Sequence, residues 1–178
     1  MARARTRASK DTSAKRARGA AKAGSAGQAE RALAGLGLTL PPAPSAVANY
    51  VGAVVVGKLV FLSGHGPVQN GELIYHGKLG REFTTAQGRE AAQLVMLNCL
   101  ATLKAVVGSL DRVRRVVKLL GMVNGTPEFA EQPQVINGAS DLLVSVFGER
   151  GRHARSAVGM GSLPFNIAVE IEMVVEIR

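Results

Sequence analysis

Ile167-Ala168-Val169-Glu170-Ile171-Glu172-Met173-Val174-Val175-Glu176-Ile177 alternates along almost its whole length. Ile167, Val169, Ile171, Met173, Val175 and Ile177 point one way. Glu170, Glu172 and Glu176 point the other, the pattern of a strand with one buried face. A sheet with an apolar face needs a cover, and the chain upstream must supply it.

Just upstream, Arg155-Ser156-Ala157-Val158 reads as another strand, followed by a turn at Leu163-Pro164. This strand-turn-strand reading puts Arg155 and Glu170 on neighbouring strands. A guanidinium grips a small carboxylate at two points, and an acid beside it moves a proton or aims a water. Farther upstream, Val51–Val56 and Leu59–Ser63 are rich in β-branched and apolar residues, with Gly57-Lys58 as a two-residue hairpin turn. Asn70-Gly71 signals a second hairpin, followed by a short strand around Leu73–Tyr75, and Val113–Val123 reads as a long strand.

Two helices supply the cover. Thr84 or Thr85 caps the first, which runs to about Val107 and stops at Gly108. Ala92, Val95, Met96, Cys99, Leu103 and Val106 recur at helical spacing, so Cys99 reads as a core residue. The second starts around Pro133 and ends at Gly148, with Val135, Ile136, Ala139, Leu142, Leu143, Val146 and Phe147 inward. The fold class is therefore α+β, a mixed sheet with two long helices on one face. Val54-Val55-Val56 in succession predicts burial on both sides. Two helices cannot cover both faces, so the open face is expected to associate with other copies.

The net charge of +9 is uneven. Residues 1–30 hold Arg3, Arg5, Arg7, Lys10, Lys15, Arg16, Arg18 and Lys22 against Asp11 and Glu30, which is +6 of that total. Residues 1–28 lack large apolar side chains beyond Met1 and read as a disordered basic tail. Residues 29–45 read as a short helix, stopping at Gly35 or Gly37, and a stiff connector, Leu40-Pro41-Pro42-Ala43-Pro44. Residues 46–178 form the compact domain. The tail's bland reading is solvation; the sharper ones are nucleic-acid contact through residues 1–30 and organelle targeting. One cysteine excludes a disulfide framework. No apolar run approaches the ~18 residues that span a bilayer. The default expectation is a cytoplasmic protein with no membrane partner. His65, His76 and His153 are scattered, without metal-ligand spacing. Arg112-Val113-Arg114-Arg115-Val116-Val117-Lys118 reads as a charge run on a strand edge with a solvated face.

Asn49-Tyr50-Val51, Phe61-Leu62-Ser63-Gly64-His65-Gly66-Pro67-Val68, Ala154-Arg155-Ser156-Ala157-Val158, Leu163-Pro164 and Val169-Glu170-Ile171-Glu172 follow one another in an order that resembles the RidA/YjgF family of reactive-intermediate deaminases, formerly named L-PSP endoribonucleases. The chain is similar to a divergent subgroup with Gln132-Pro133-Gln134-Val135-Ile136-Asn137-Gly138-Ala139-Ser140-Asp141 and Gly151-Arg152-His153-Ala154-Arg155-Ser156. The resemblance implies a chorismate-mutase-like fold, a homotrimer, and clefts between subunits where enamine or imine carboxylic acids are hydrolysed to 2-keto acids and ammonia. It implies no metal or organic cofactor. Carried over by position, Arg155 binds the substrate carboxylate and Glu170 positions or activates water. Tyr50 lines the cleft from a neighbouring subunit, Asn137 sits nearby, and backbone groups around Gly64 and Ala157 complete the pocket. The chain departs from the family at three positions. Ala157 stands where many members carry Cys, Gly159 where the better-known deaminases carry an acid, and His65 where Gln is usual. A small-carboxylate-binding protein without turnover and a weakly RNA-directed protein using the tail are the alternative functions.

Overall fold

The computed structural model describes residues 27–44 and 48–178. Most of the basic tail, and the expected domain start at Ala46, lie outside them.

Five signals in the chain become structural boundaries. Strands β1 (Ala53–Val56) and β2 (Leu59–His65) pair antiparallel about Gly57-Lys58. The short strands β3 (Val68–Gln69) and β4 (Glu72–Leu73) close on Asn70 and Gly71, both at positive φ as a tight two-residue turn demands. The expected strand does not continue to Tyr75, whose φ of 61° is incompatible with extended backbone. Thr84 caps α2 (Thr85–Val107) in a reciprocal box with Gln87, and Gly108 ends it. Pro133 sits in the first turn of α3 (Gln132–Phe147), where its missing N–H costs nothing.

The main sheet has five strands in the order β1-β2-β7-β5-β6, where β5 is Val113–Asn124, β6 is Ala154–Met160 and β7 is Val169–Ile177. α3 carries the chain from β5 to the parallel edge strand β6. The chain then crosses back, so that β7 enters between β2 and β5, antiparallel to both. This crossing corrects two expectations. β6 and β7 are not neighbours, because β5 lies between them. The basic run Arg112–Lys118 is not on an edge, because β5 is interior; Arg114 and Arg115 reach solvent as its outward residues, Arg114 pairing with Glu176 at 2.9 Å.

α2 and α3 cover one face. Leu100, Leu103, Ile136, Leu143, Leu119, Ile171 and Met173 are wholly or almost wholly buried there, each contributing about 1.5–3 kcal/mol by leaving water. By length and mean hydropathy α2 is apolar enough to cross a bilayer, although polar residues interrupt it, and most of it is buried as the core helix of this domain. Cys99 lies in that core, and burial pushes its thiol far up.

The other face is open. Val54, Val56 and Phe61 stand on it, with exposures of 51%, 59% and 44%, and Val158 and Met160 extend it across β6. The burial expected on both sides of Val54–Val56 is therefore absent from the single chain: β1 is an edge strand that α2 reaches only at its margin.

The N-terminal helix α1 (Gln28–Gly35) packs on the domain, with Ala29 and Leu33 in the common core. Asp111 accepts from the amides of Gln28 and Ala29, capping the helix from outside. Lys104 pairs with Glu30 at 3.1 Å. The packed unit thus reaches well ahead of residue 46.

Candidate functional site

Cross-strand partners share a face of a sheet, so register fixes where each candidate points. Arg155 lies opposite Leu119, and Leu119 opposite Met173. Both partners are buried beneath the helices. Arg155 accordingly turns to α3, where its Nη1 donates to Asn137 Oδ1 at 2.9 Å and Ser140 Oγ at 3.1 Å. Ala157 and Gly159 follow on the same face: Ala157 lies opposite Gly121, which abuts Ile136 of α3, and Gly159 abuts Gln132. His153 holds Ser140 at 3.1 Å through Nε2 and faces the carbonyl of Gly151 through Nδ1 at 2.7 Å. Burial lowers its pKa, and the Arg155 charge adds to that. The half-buried guanidinium is thus held by neutral groups, and no carboxylate among the described residues pairs with it.

Glu170 lies opposite Met122, which lies opposite Val158. That row belongs to the open face. Arg155 and Glu170 therefore occupy opposite faces, separated by two strand spacings and three residues of register, roughly 14 Å between Cα atoms. Within one chain they do not form a pair.

Glu170 instead meets Gly64. A Cβ at position 64 would collide with its carboxylate, so only glycine lets the side chain lie across β2. The pairing of β2 with β7 shifts between Leu62 and His65, and this irregularity inverts the alternation, so that His65 joins Leu62 on the core face and Gly64 turns to the open face. Burial raises the Glu170 pKa, with the Glu172 charge adding to it. Tyr50, Ser63, Gly64, His65 and Glu170 line one cleft of about 1410 Å³, walled further by the connector, the β3–β4 hairpin, α2 and Pro164–Ile167. Glu170 is the one charged residue in its described lining, which holds no Lys or Arg. His65 turns inward: Nδ1 faces the Ser63 carbonyl at 2.7 Å and Nε2 the Thr102 hydroxyl at 2.8 Å, and burial lowers its pKa. It serves as a buried hydrogen-bonding residue.

The six candidates thus fall into two groups. Arg155, Asn137 and Ala157 stand at the α3 side of the β6 edge. Tyr50, Gly64 and Glu170 stand in the cleft. Sequence reasoning expects a structural role for His153 beside Arg155, but it missed Ser140 as a support of Arg155 and the connector as a cleft wall. It also missed Lys78, whose Nζ donates to Asn124 Oδ1 at 2.6 Å and to the Gly161 carbonyl at 2.8 Å, fixing the turn after β6.

Residues 30–177 match the family model described as "YjgF/chorismate_mutase-like, putative endoribonuclease". Protein TCP17 of Trypanosoma cruzi is 46% identical over 144 residues, covering 80% of this chain and 90% of that protein. The crystal structure of Atu1372 from Agrobacterium tumefaciens superposes with a TM-score of 0.80 at 49% identity, covering 85% of this chain and 93% of that one. RidA from the Antarctic bacterium Psychrobacter superposes with a TM-score of 0.54 at 31% identity, covering 76% and 94%. With the sheet order and the helices on one face, these likenesses establish the chorismate-mutase-like α+β fold, and the chain belongs to the RidA/YjgF family.

Proposed function

We propose that the protein hydrolyses small enamine or imine carboxylic acids to 2-keto acids and ammonia, at sites completed only between copies of the chain. Family membership supports a small-molecule deaminase or binding role. The observation that carries the finer reading is charge complementarity between the two half-sites. One holds a guanidinium with neutral partners and no acid. The other holds a partly desolvated acid and no cation. The first can hold a substrate carboxylate but brings no proton-transfer group, and the second can move a proton but cannot hold the carboxylate. On this reading a second copy lies on the apolar open face, with the edge of β6 and Arg155 of one copy against the cleft of its neighbour. A homotrimer closes such a head-to-tail contact into a ring.

In that site Arg155 holds the substrate carboxylate by its free N–H groups, and Asn137 and Ser140 hold Arg155. The enamine tautomerises to the imine. Water adds to the C=N carbon as its proton passes to Glu170. The Glu170 carboxyl gives that proton to nitrogen, forming a carbinolamine. Glu170 then takes the hydroxyl proton and passes it to the amine, so that the C=O bond forms as the C–N bond breaks, ammonia leaves and the 2-keto acid remains. The raised Glu170 pKa suits both halves of this proton relay, worth about 100- to 10,000-fold. The test is ammonia release from 2-iminopropanoate or 2-iminobutanoate made in situ by an amino-acid oxidase. Arg155→Ala should abolish release while the assembly persists. Full activity in that variant would remove Arg155 from the reaction.

Ligand sensing without turnover is the second reading. Ala157 and Gly159, beside Arg155 on its face, bring no reactive group to the site. Thermal stabilisation by a 2-keto acid without ammonia release would favour it.

A further inference from the structure

The cleft that holds Glu170 is larger than a three-carbon imino acid requires. In the single chain its 1410 Å³ exceeds the ~300–1,000 Å³ usual for small-ligand sites. The lining is mainly apolar, with Leu40, Pro41 and Pro42 of the connector, Leu73, Leu94 and Phe165, and polar groups also enter it at Thr39, Gln69, Asn70 and Asn98. Prolines make a wall that loses little freedom when a ligand settles against it.

Phe165 is the unusual member. It is 65% exposed, and its φ of 54° is followed by 56° at Asn166. Two successive non-glycine residues in the left-handed region persist only where their surroundings hold them. Three ties do so here. His76 Nδ1 lies 3.0 Å from the Phe165 carbonyl oxygen. The Gly77 amide donates to the Asn166 carbonyl at 2.7 Å. The buried Asn124 donates to Asn166 Oδ1 at 3.1 Å. The fold thus spends strain to keep a large aromatic ring out of the core and on the wall of the cleft.

We infer that the cleft selects acids with a bulky apolar or aromatic side chain, and that Phe165 is the specificity-determining contact. This rests on the proposed orientation of the substrate, with its carboxylate and reacting carbon at the Glu170 end. The side chain then runs along the connector wall to Phe165.

The test is binding of 2-keto acids to the full chain by calorimetry, independent of turnover, with pyruvate, 4-methyl-2-oxopentanoate and phenylpyruvate as probes. The two larger acids should bind about tenfold or more tighter than pyruvate, the range that added apolar contact provides. Phe165→Ala should shrink that ratio by about tenfold and Phe165→Leu restore part of it. Because Phe165 is exposed, both variants should keep the wild-type melting temperature. Pyruvate binding as tight as phenylpyruvate, an unchanged ratio in Phe165→Ala, or no binding of any of the three overturns the inference. Selective binding of the larger acids without ammonia release from their imines keeps this specificity and removes the hydrolysis. Ammonia release with no preference among side chains does the reverse.

Discussion

Gly64 and Glu170 share one small volume: the space a Cβ would fill at position 64 is taken by the carboxylate at position 170. The irregular pairing of β2 and β7 brings them together, and the same irregularity turns His65 to the core. A backbone feature therefore decides which side chain faces the cleft. Gly64→Ala should displace the carboxylate by about an ångström and lower kcat on the order of 100-fold. The displaced group is a side-chain tip, so the melting temperature should barely move. Undiminished kcat in Gly64→Ala would show that the position of Glu170 does not matter.

The Glu170 pKa is raised, chiefly by burial and further by Glu172. Because the carboxylate form accepts the proton of water, kcat/KM should fall with decreasing pH at a higher pH than an ordinary glutamate would set. Glu172→Gln should move that acid limb down. The sign for stability is opposite: an acid whose folded pKa lies above its unfolded value is held less comfortably when ionised. Its penalty is full above the folded pKa and fades as pH falls through it toward the unfolded value. A pH–rate profile unchanged in Glu172→Gln would remove the coupling.

Asp111 behaves in the usual direction. The Ala29 and Gln28 amides hold its pKa down. The stability it adds is present above the ordinary carboxylate range and is lost as pH falls through its lowered pKa. Asp111→Asn should weaken docking of α1 by about 1 kcal/mol. Hydrogen exchange should then quicken at Ala29–Leu33 with little change in α2. Equal exchange in both proteins would place the anchoring of α1 elsewhere.

Cys99 should resist thiol reagents in the folded protein, since burial both shields it and disfavours the thiolate. Labelling should proceed only at the rate of unfolding. Fast labelling of the native protein would contradict the packing of α2.

Much of the fold was legible because its signals are local. Alternation marked β7, the Thr84 cap and Gly108 bounded α2, and Asn70-Gly71 fixed a hairpin. Strand order was not, because it depends on how the chain returns after α3. Nothing in the sequence between Met160 and Val169 says that β7 passes the edge and enters beside β5. That one crossing separates Arg155 from Glu170. The candidate residues were named by resemblance, but their division into two half-sites is a property of sheet faces, which appears only once register is known. The connector's place on the cleft wall was also hidden, since a proline-rich run states its stiffness but not its neighbour.

The most direct measurement mixes two inactive proteins. Arg155→Ala keeps Glu170, and Glu170→Gln keeps Arg155. If each site takes its arginine from one copy and its acid from the next, co-assembling the two in equal amounts gives about a quarter of the sites both intact groups. Ammonia release should return to about that fraction of wild type. Mixed oligomers verified by mass spectrometry but no more active than either parent would contradict the shared site.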